Sequence, residues 1–245
     1  MRTFGLLGRS LAHSFSQRYF GEKFERLQLA DHHYELFELA EISELPQLLA
    51  HHAELAGLNV TIPYKEQIWP YLTQVAPSAA LVGAVNVIAF GADGGLVGHN
   101  TDYVGFRESL RQFYPHVAGS RALVLGTGGA AKAVSVALQE LGIGIQPVSR
   151  RPLAGHFTYE ELTPEVLAAH SLIVNTTPLG TYPNVAECPP LLYAALTSQH
   201  YLFDLIYNPG ETLFLQRGRA AGAHIKNGLE MLELQAEAAW EIWNP

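Results

Sequence analysis

The sequence has very little cysteine and no long apolar run. Cys188 is the only cysteine among 245 residues, so an internal disulfide is excluded. No stretch approaches the ~20 apolar residues needed to cross a bilayer, and residues 1–14 lack the apolar core of a secretion signal. These absences predict a soluble, cytoplasmic protein that does not contact a membrane.

Basic residues are also few. Lysine and arginine total 15 against 23 acidic residues, giving a formal net charge of −8, and no basic run is longer than Arg150–Arg151. Such a chain would repel a phosphate backbone, so nucleic acid is not an expected partner. None of the 11 histidines follows HExxH spacing, and the adjacent pairs at residues 32–33 and 51–52 would diverge on a helix or strand. We therefore expect no metal site.

What is present describes a folded α/β protein. Hydrophobic residues make up 48% of the chain, and its length favours two domains. In the first hundred residues, apolar runs typical of strands alternate with amphipathic segments. Residues 91–95, Gly-Ala-Asp-Gly-Gly, predict a hairpin that joins residues 85–90 to residues 96–99. The N-terminal sheet should therefore be mixed.

After Arg121 the pattern changes to apolar strand, glycine turn and helix. Residues 122–125 and 145–148 flank a helix that ends near Leu141, and further buried strands are predicted at residues 172–175 and 201–205. This succession predicts a Rossmann-type, doubly wound nucleotide-binding domain. Residues 228–243 have the apolar spacing of one long final helix.

The first turn of this second region carries a glycine pattern. Residues 126–131, Gly-Thr-Gly-Gly-Ala-Ala, match G-x-G-x-x-G/A after a strand and before a helix, which is the context of a dinucleotide site. Gly126 would permit the tight turn, while Gly128, Gly129 and Ala130 would bring backbone N–H groups to a pyrophosphate at the positive end of the helix. The alternative is that the glycines only pack strand against helix.

The residues after the second strand of this region favour NADP over NAD. A carboxylate at that place would bind the ribose 2′-hydroxyl of NAD, whereas arginine accommodates a 2′-phosphate. The sequence reads Ser149-Arg150-Arg151, and no acidic residue lies between Ile145 and Gly155. We predict NADP, bound by Ser149, Arg150 and Arg151; an exposed basic turn is the alternative.

Lys65, one of four lysines, follows the extended run at residues 59–64. Taken alone, it is equally well interpreted as a surface lysine at the start of a helix. Other segments decide: HSFS at residues 13–16, NVTIPYK at 59–65, GAVNV at 83–87, GHNTD at 98–102, NTTPLG at 175–180, DLIYNP at 204–209, and the stretch 227–235. In their order and spacing these motifs resemble the shikimate dehydrogenase family, from about Thr3 to Trp243.

The resemblance implies a substrate-binding domain of residues 1–101 and 229–245 and an NADP-binding Rossmann domain of residues 102–228, with catalysis in the cleft between them. Ser14 and Ser16 would bind the substrate carboxylate, assisted by Tyr207. The ring hydroxyls would be held by polar side chains, namely Thr61, Asn86, Asp102 and Gln235, with Asn59 a weaker candidate. If the family resemblance is set aside, the two serines are interpreted as helix caps, and the other residues as ordinary turn, strand or helix-boundary residues.

The implied reaction is the reversible reduction of 3-dehydroshikimate to shikimate by hydride from NADPH, a step of aromatic amino-acid biosynthesis. Lys65 and Asp102 would act jointly in proton transfer. Loops after the later strands would lie near the nicotinamide, through Asn175, Thr176, Thr177, Leu205, Tyr207 and Gly228. The chain departs from the family at Gln17, where proline is common, and at Lys132, where serine or arginine is common.

Other functions stay open from the sequence. A quinate or broader cyclohexane-carboxylate dehydrogenase would use the same serines and the same Lys65–Asp102 pair. A non-catalytic NADP-binding regulator would keep the glycine loop without requiring Lys65, Asp102 and the serines together. A folate-linked dehydrogenase of similar build would leave the serines unexplained. The expected partner is a small-molecule substrate, and the chain is expected to be a monomer or homodimer.

Overall fold

The computed structural model describes residues 1–11, 14–115 and 117–245, and the chain divides into two compact units. Unit 1 comprises residues 1–101 and 235–245, and unit 2 comprises residues 102–234. The sequence places the return of the chain at Leu229, the first residue of the final helix, whereas the division of the structure falls further along the same helix, at Gln235.

Unit 1 alternates strands with short helices. Its strands are β1 (Arg2–Gly8), β2 (His32–Glu38), β3 (Leu55–Val60), β4 (Gln74–Val75), β5 (Val87–Phe90) and β6 (Leu96–His99). Its helices before residue 101 are α1 (Phe15–Arg26), α2 (Leu45–His51), α3 (Tyr64–Gln67) and α4 (Pro77–Val82).

The sheet of unit 1 has the order β2-β1-β3-β5-β6-β4. Strands β2, β1 and β3 are parallel, while β5 is antiparallel to both β3 and β6. The predicted mixed sheet and the hairpin are confirmed. Apolar side chains cover both faces, with Leu58 and Ile88 in one core cluster and Phe4 and Phe20 in the other.

Unit 2 repeats strand and helix with greater regularity. Its helices before the final one are α5 (Asp102–Phe113), α6 (Gly129–Glu140), α7 (Pro164–Ala168) and α8 (Leu213–Ala220). Its strands are β7 (Arg121–Leu125), β8 (Gly144–Ser149), β9 (Phe157–Thr158), β10 (Leu172–Asn175), β11 (Tyr201–Asp204) and β12 (His224–Lys226).

All strand pairs of unit 2 are parallel, in the order β12-β11-β10-β7-β8-β9. Counted within the unit, this is the 3-2-1-4-5-6 order of a doubly wound dinucleotide-binding sheet, so the predicted Rossmann fold is confirmed. The strand order reverses between β7 and β10, and ligands of such sheets bind outside the carboxyl ends of the strands at this reversal. Core clusters on both faces bury the apolar strands.

The final helix, α9 (Leu229–Trp243), completes unit 1. Ala236, Ala239 and Trp243 belong to the same core cluster as Phe4 of β1. The Trp243 indole Nε1 donates to the Ile88 carbonyl at 3.0 Å. The sheet of unit 1 is therefore covered by residues from both ends of the chain.

Candidate active site

Asn86 and Gln235, two of the predicted substrate residues, meet inside unit 1 although 149 positions separate them. Asn86 is 3% exposed, and its Nδ2 donates to Gln235 Oε1 at 3.4 Å and to Thr101 Oγ1 at 3.0 Å. Its Oδ1 accepts from the Thr101 backbone N–H at 2.7 Å. The turn before β5, the end of the hairpin and the last helix are thereby joined by one buried polar cluster.

Lys65 lies on α3, which begins after β3 and residues 61–63. The Thr61 N–H donates to the Leu7 carbonyl at 2.9 Å, and the Lys65 carbonyl accepts from the Val85 N–H at 2.8 Å. Both side chains are half-buried. These backbone bonds place the Lys65 segment beside the residue that precedes Asn86. Thr61, Lys65 and Asn86 thus lie at one end of the sheet of unit 1.

Asp102 is the first residue of α5 and belongs to unit 2. It directly follows Thr101 of the Asn86 cluster, and its side chain is half-buried. The chain therefore passes from the polar cluster of unit 1 into unit 2 at the predicted proton-transfer residue.

Ser14 and Ser16 flank the first residue of α1. Ser14 occupies the N-cap position, but its side chain makes no capping hydrogen bond, which removes the interpretation of Ser14 as a helix cap. Within the described residues its buried Oγ has no hydrogen-bond partner. A buried hydroxyl without a protein partner is suited to a ligand, because leaving it unpaired is costly. His13, which begins this motif, lies outside the described residues.

The sequence interpretation missed Tyr34, a buried residue of β2. Its hydroxyl donates to Asn59 Oδ1 at 2.6 Å. Burial raises the pKa of the Tyr34 phenol, and the Ser16 hydroxyl acts in the opposite direction. Asn59 Nδ2 donates to the Asn86 carbonyl at 3.4 Å. Both ends of the Asn59 amide therefore form hydrogen bonds inside the protein.

The glycine loop of unit 2 has the backbone that its pattern requires. Gly126 has φ +115°, and its N–H donates to the Val148 carbonyl at 3.0 Å. A Cβ added to Gly126 would lie 2.6 Å from Thr176 Oγ1, whereas one added to Gly128 would meet nothing within 4 Å. Packing therefore explains glycine at 126 but not at 128. Gly128 is the N-cap of α6, so the N–H groups of Gly129 and Ala130 point out of the helix end.

The residues after β8 are polar and accessible. Ser149 is half-buried and its Oγ accepts from the Arg151 backbone N–H at 3.2 Å. The side chains of Arg150 and Arg151 are exposed, and neither forms an ion pair with another described residue. Two exposed guanidiniums at the end of the second strand can bind a 2′-phosphate, as the sequence predicts.

Asn175 and Asp204 end the neighbouring strands β10 and β11 and are both fully buried. Asn175 Nδ2 donates to Asp204 Oδ1 at 3.0 Å, and its Oδ1 accepts from the Thr177 N–H and hydroxyl at 3.0 and 2.7 Å. Both ends of the Asn175 amide are thus used in hydrogen bonds that fix the loop after β10. Thr176 and Thr177 are half-buried in that loop, and Thr176 Oγ1 donates to the Leu125 carbonyl at 2.6 Å beside the glycine turn.

Asp204 is a second residue whose role the sequence interpretation missed. It accepts hydrogen bonds from Asn175, the Ile206 N–H and the Thr212 hydroxyl. Burial raises the pKa of its carboxyl from 3.8 to about 6, while these donors act in the opposite direction. The motif that contains Asp204 is visible in the sequence, but its burial is not.

The loop after β11 packs tightly on the segment before α9. The Leu205 N–H donates to the Asn175 carbonyl at 3.0 Å, and the Gly228 N–H donates to the Ile206 carbonyl at 3.1 Å. A Cβ added to Gly228 would lie 2.1 Å from the Leu205 carbonyl oxygen. Gly228 is therefore glycine because of this contact. Leu205 and Tyr207 are half-buried in the same loop.

The described residues contain neither a metal-binding cluster nor a membrane-spanning helix. No group of three or more His, Cys, Asp or Glu side chains in residues 1–11, 14–115 and 117–245 could hold a metal ion. None of the helices in those ranges combines the length and apolarity that spanning a membrane requires.

Comparison with known proteins identifies the family. Residues 6–88 match the family model described as the shikimate dehydrogenase substrate binding domain. The chain is 38% identical to the shikimate dehydrogenase (NADP(+)) of Carboxydothermus hydrogenoformans over 98% of its own length and 90% of that protein. With that of Clostridium beijerinckii it shares 37% identity over 99% of this chain and 92% of the relative. The chain belongs to the shikimate dehydrogenase family. The predicted family, enzyme class and NADP cofactor are confirmed.

Solved structures of the family share the fold. A crystal structure of shikimate dehydrogenase in complex with NADP+ aligns with a TM-score of 0.90 and 30% identity, covering 100% of this chain and 90% of the other. Quinate dehydrogenase from Corynebacterium glutamicum in complex with NAD aligns with a TM-score of 0.87 and 27% identity, covering 99% of this chain and 93% of the other. The predicted two-domain α/β fold of the family is confirmed by these alignments.

Proposed function

We propose that this member of the shikimate dehydrogenase family catalyses the reversible reduction of 3-dehydroshikimate to shikimate with NADPH, within aromatic amino-acid biosynthesis. Residues 1–101 with the last helix would bind the substrate, and the Rossmann unit would bind the cofactor. The observation that carries the proposal is the buried contact of Asn86 with Gln235, because it joins two residues that the family motifs assign to the same substrate.

The substrate carboxylate would be bound by hydroxyl groups. Ser14 supports this role because its buried Oγ has no hydrogen-bond partner among the described residues. Ser16 lies two positions on, in the first turn of α1, and Tyr207 would add a third hydroxyl. Hydroxyl donors offset the desolvation of an anion without placing a fixed positive charge against it.

The ring hydroxyls of the substrate would be held by Thr61, Asn86, Asp102 and Gln235. An amide carries both a donor and an acceptor end, so Asn86 and Gln235 can each pair with a neighbouring hydroxyl in either direction. The bonds of Asn86 to Thr101 fix its amide in one orientation. A fixed amide discriminates between hydroxyl positions on a ring, because a misplaced hydroxyl leaves it unpaired.

Proton transfer is assigned jointly to Lys65 and Asp102. When the ketone carbon receives a hydride, its oxygen develops negative charge and needs a proton. The Lys65 ammonium would stabilise that charge and donate the proton, with Asp102 orienting the lysine and sharing in the return transfer during oxidation. The short helix that carries Lys65 is fixed to the Asn86 segment through the Val85 N–H, so the donor and a substrate-holding amide are held on one scaffold.

The residues of unit 2 fit NADP. NADPH supplies the hydride when it is bound. The open space around Gly128 would allow the backbone N–H groups of Gly129 and Ala130 to approach the pyrophosphate. Ser149, Arg150 and Arg151 would bind the 2′-phosphate, and Thr176, Thr177 and Leu205 with the backbone of Gly228 would lie along the nicotinamide. Asn175 would hold that loop in position through its hydrogen bonds to Thr177.

The proposal is tested by following NADPH absorbance with shikimate or quinate as substrate and NADP or NAD as cofactor. We expect turnover of shikimate with NADP and a fall in kcat of roughly 10²–10⁴-fold in Lys65→Ala, since a positioned proton donor contributes about that much. Gln67→Ala is the matched control, because Gln67 is exposed on the same helix. It should retain wild-type kcat.

Three results would contradict the proposal. Cofactor binding without turnover of either acid would point to a non-catalytic regulator. Turnover that is unchanged in Lys65→Ala would remove the proton-transfer role. Preference for quinate over shikimate would favour the second candidate, a quinate dehydrogenase, whose support is the close structural match to the Corynebacterium glutamicum enzyme.

A further inference from the structure

Glu237 of α9 is hydrogen-bonded to two side chains of α1. The Tyr19 hydroxyl donates to Glu237 Oε1, and Lys23 Nζ donates to Glu237 Oε2. Tyr19 and Lys23 lie one helical turn apart, so the two oxygens of one carboxylate are bound by two successive turns of α1. These directional contacts join the first helix of unit 1 to the last.

Lys23 is buried at this junction. It is 5% exposed, and a lysine is rarely buried unless its charge is paired. Its ion pair is with Glu237, and its Nζ lies 5.5 Å from the centroid of the Trp240 ring. Burial acts to raise the pKa of Glu237, but the hydrogen bonds from Lys23 and Tyr19 outweigh it and lower that pKa. Glu237 is therefore ionised at neutral pH.

Aromatic side chains also pack α1 against α9. The Phe20 ring lies 5.5 Å from Trp243, and the Phe24 ring lies 5.7 Å from Trp240. Apolar packing is non-directional, whereas hydrogen bonds to a carboxylate require particular distances and angles. Replacing a buried ion pair by apolar residues is often neutral for stability. Stability alone therefore does not account for charged groups at this contact.

Each of the two helices carries a residue predicted to bind the substrate. Ser16 lies one turn before Tyr19 on α1. Gln235 lies two positions before Glu237 on α9, and its Oε1 accepts from Asn86 Nδ2 at 3.4 Å. Helix α9 is thus bonded to the Asn86 cluster through Gln235 and to α1 through Glu237.

We propose that Glu237 is a positioning residue for substrate binding, which fixes the serine end of α1 relative to Gln235. A substrate that is bound by its acid group at one end and by its ring hydroxyls at the other needs both sets of ligands at one fixed separation. This inference rests on the proposed function, because it takes Ser16 and Gln235 to be substrate ligands. It assigns Glu237 to affinity for the substrate and not to the chemical step.

The first test is Glu237→Gln, assayed with shikimate and NADP. Glutamine keeps the size of the side chain but places an amide, which has only one acceptor oxygen, between two donors. We expect KM for shikimate to rise about five- to tenfold, with kcat changed less than about twofold and KM for NADP unchanged. Tyr19→Phe removes one of the two bonds and leaves Lys23 paired, so it should raise KM for shikimate by a smaller factor.

The double variant Lys23→Met/Glu237→Leu separates positioning from stability. It removes both charges together, so no buried charge is left unpaired and the urea midpoint should return close to that of wild type. The directional bonds are still missing, so KM for shikimate should stay raised about five- to tenfold. A merely structural role would instead restore KM together with the midpoint. Glu241→Gln, at an exposed position on the same helix, is the matched control and should change neither quantity.

The outcomes distinguish this inference from the proposed function. If Ser16→Ala and Gln235→Ala both leave KM for shikimate unchanged, the ligand assignments of the proposed function fail and the inference fails with them. If these two variants raise KM but Glu237→Gln does not, only the inference about Glu237 fails. A double variant that recovers both the midpoint and the KM of wild type would also overturn it.

Discussion

Asp204 has no exposed surface, yet it carries an ionisable carboxyl group at the end of a central strand of unit 2. Three donors surround it, from Asn175, Ile206 and Thr212. Burial outweighs these donors, so the native state binds its proton more tightly than the unfolded chain does. Asp204 is hydrogen-bonded to Asn175 of the predicted nicotinamide loop, so a change in its protonation with pH should alter the structure of that loop.

The pKa of Asp204 predicts a specific pH dependence of stability. Because the folded pKa of about 6 lies above the ordinary aspartate value of 3.8, the stability contributed by its proton is complete below about pH 4 and is lost as pH rises through 6. Asp204→Asn should remove this loss, so the variant should gain about 1–3 kcal/mol in free energy of unfolding relative to wild type between pH 4 and 7. Urea denaturation at several pH values measures it.

Asp93→Asn is the control for this experiment, since Asp93 lies in the exposed hairpin turn. This control measures how far an aspartate-to-asparagine change at the surface alone alters the free energy of unfolding over the same pH range. A constant difference between wild type and Asp204→Asn would show that Asp204 has the same pKa in the folded and unfolded chain.

At the scale of single residues, the sequence indicates which side chains are candidates for binding or catalysis, but it does not indicate which of them are buried. Ordered motifs name Lys65, Asn86 and Gln235 as candidates, and the structure joins the last two by a hydrogen bond. Tyr34 and Asp204 could not be singled out in the same way. A tyrosine inside an alternating strand is usually a core residue, and only the position of Asn59 beside it gives its hydroxyl a hydrogen-bonding role.

At the scale of secondary-structure elements, the surroundings of Gly128 and Gly228 are opposite. Gly128 is the N-cap of α6 and has φ −85°, which any residue adopts, and a Cβ added to it would meet open space. Gly228 lies against the Leu205 carbonyl with no room for a side chain. One is free to accept a ligand, and the other is fixed by the protein itself.

The same substitution at these two positions should therefore have different effects. Gly128→Ala should leave the free energy of unfolding near wild type but raise KM for NADP roughly tenfold, because a methyl group would hold the pyrophosphate away from the backbone. Gly228→Ala should cost about 1–3 kcal/mol of stability through overpacking. Chemical denaturation and cofactor titration of both variants check the pair. Equal loss of stability in the two variants would contradict this distinction.

Element boundaries follow the sequence only where packing agrees with it. The strand expected at residues 85–90 begins at Val87, and the amide of Asn86 just before it is hydrogen-bonded to Thr101 and Gln235. The extended run expected at residues 59–64 contributes only Asn59 and Val60 to β3, and α3 already begins at Tyr64. Strands β4 and β9 have two residues each, which is too short for any periodic pattern to show. The longer βαβ units of unit 2 were predictable, since their pattern repeats.

In the whole molecule, unit 1 is built from both ends of the chain and unit 2 from the residues between them. Trp243 is central to this arrangement. It is 5% exposed, lies 5.0 Å from the Phe4 ring and occupies the space that a side chain at Gly57 would need. The last turn of α9 is therefore part of the core of unit 1.

Removing the Trp243 side chain should destabilise unit 1 strongly. Trp243→Ala should cost about 3–5 kcal/mol, as for other large buried aromatic residues. Trp243→Phe keeps a ring but leaves the Ile88 carbonyl without its indole donor, and it should cost less, about 1–3 kcal/mol. Guanidinium unfolding followed by circular dichroism ranks the variants. An alanine variant as stable as wild type would mean that α9 does not support the sheet.

Arg2 donates from its guanidinium to Asn244 Oδ1 at 2.6 Å and to the Trp243 carbonyl at 3.1 Å, so the start of β1 and the residues at the end of α9 are neighbours. This has a consequence for synthesis on the ribosome. When residues 1–101 have emerged, their sheet still lacks the helix that covers one face, and more than a hundred residues of unit 2 must be translated before it arrives. Unit 1 can therefore complete its core only after residues 235–245 have left the ribosome, although its strands are made before unit 2.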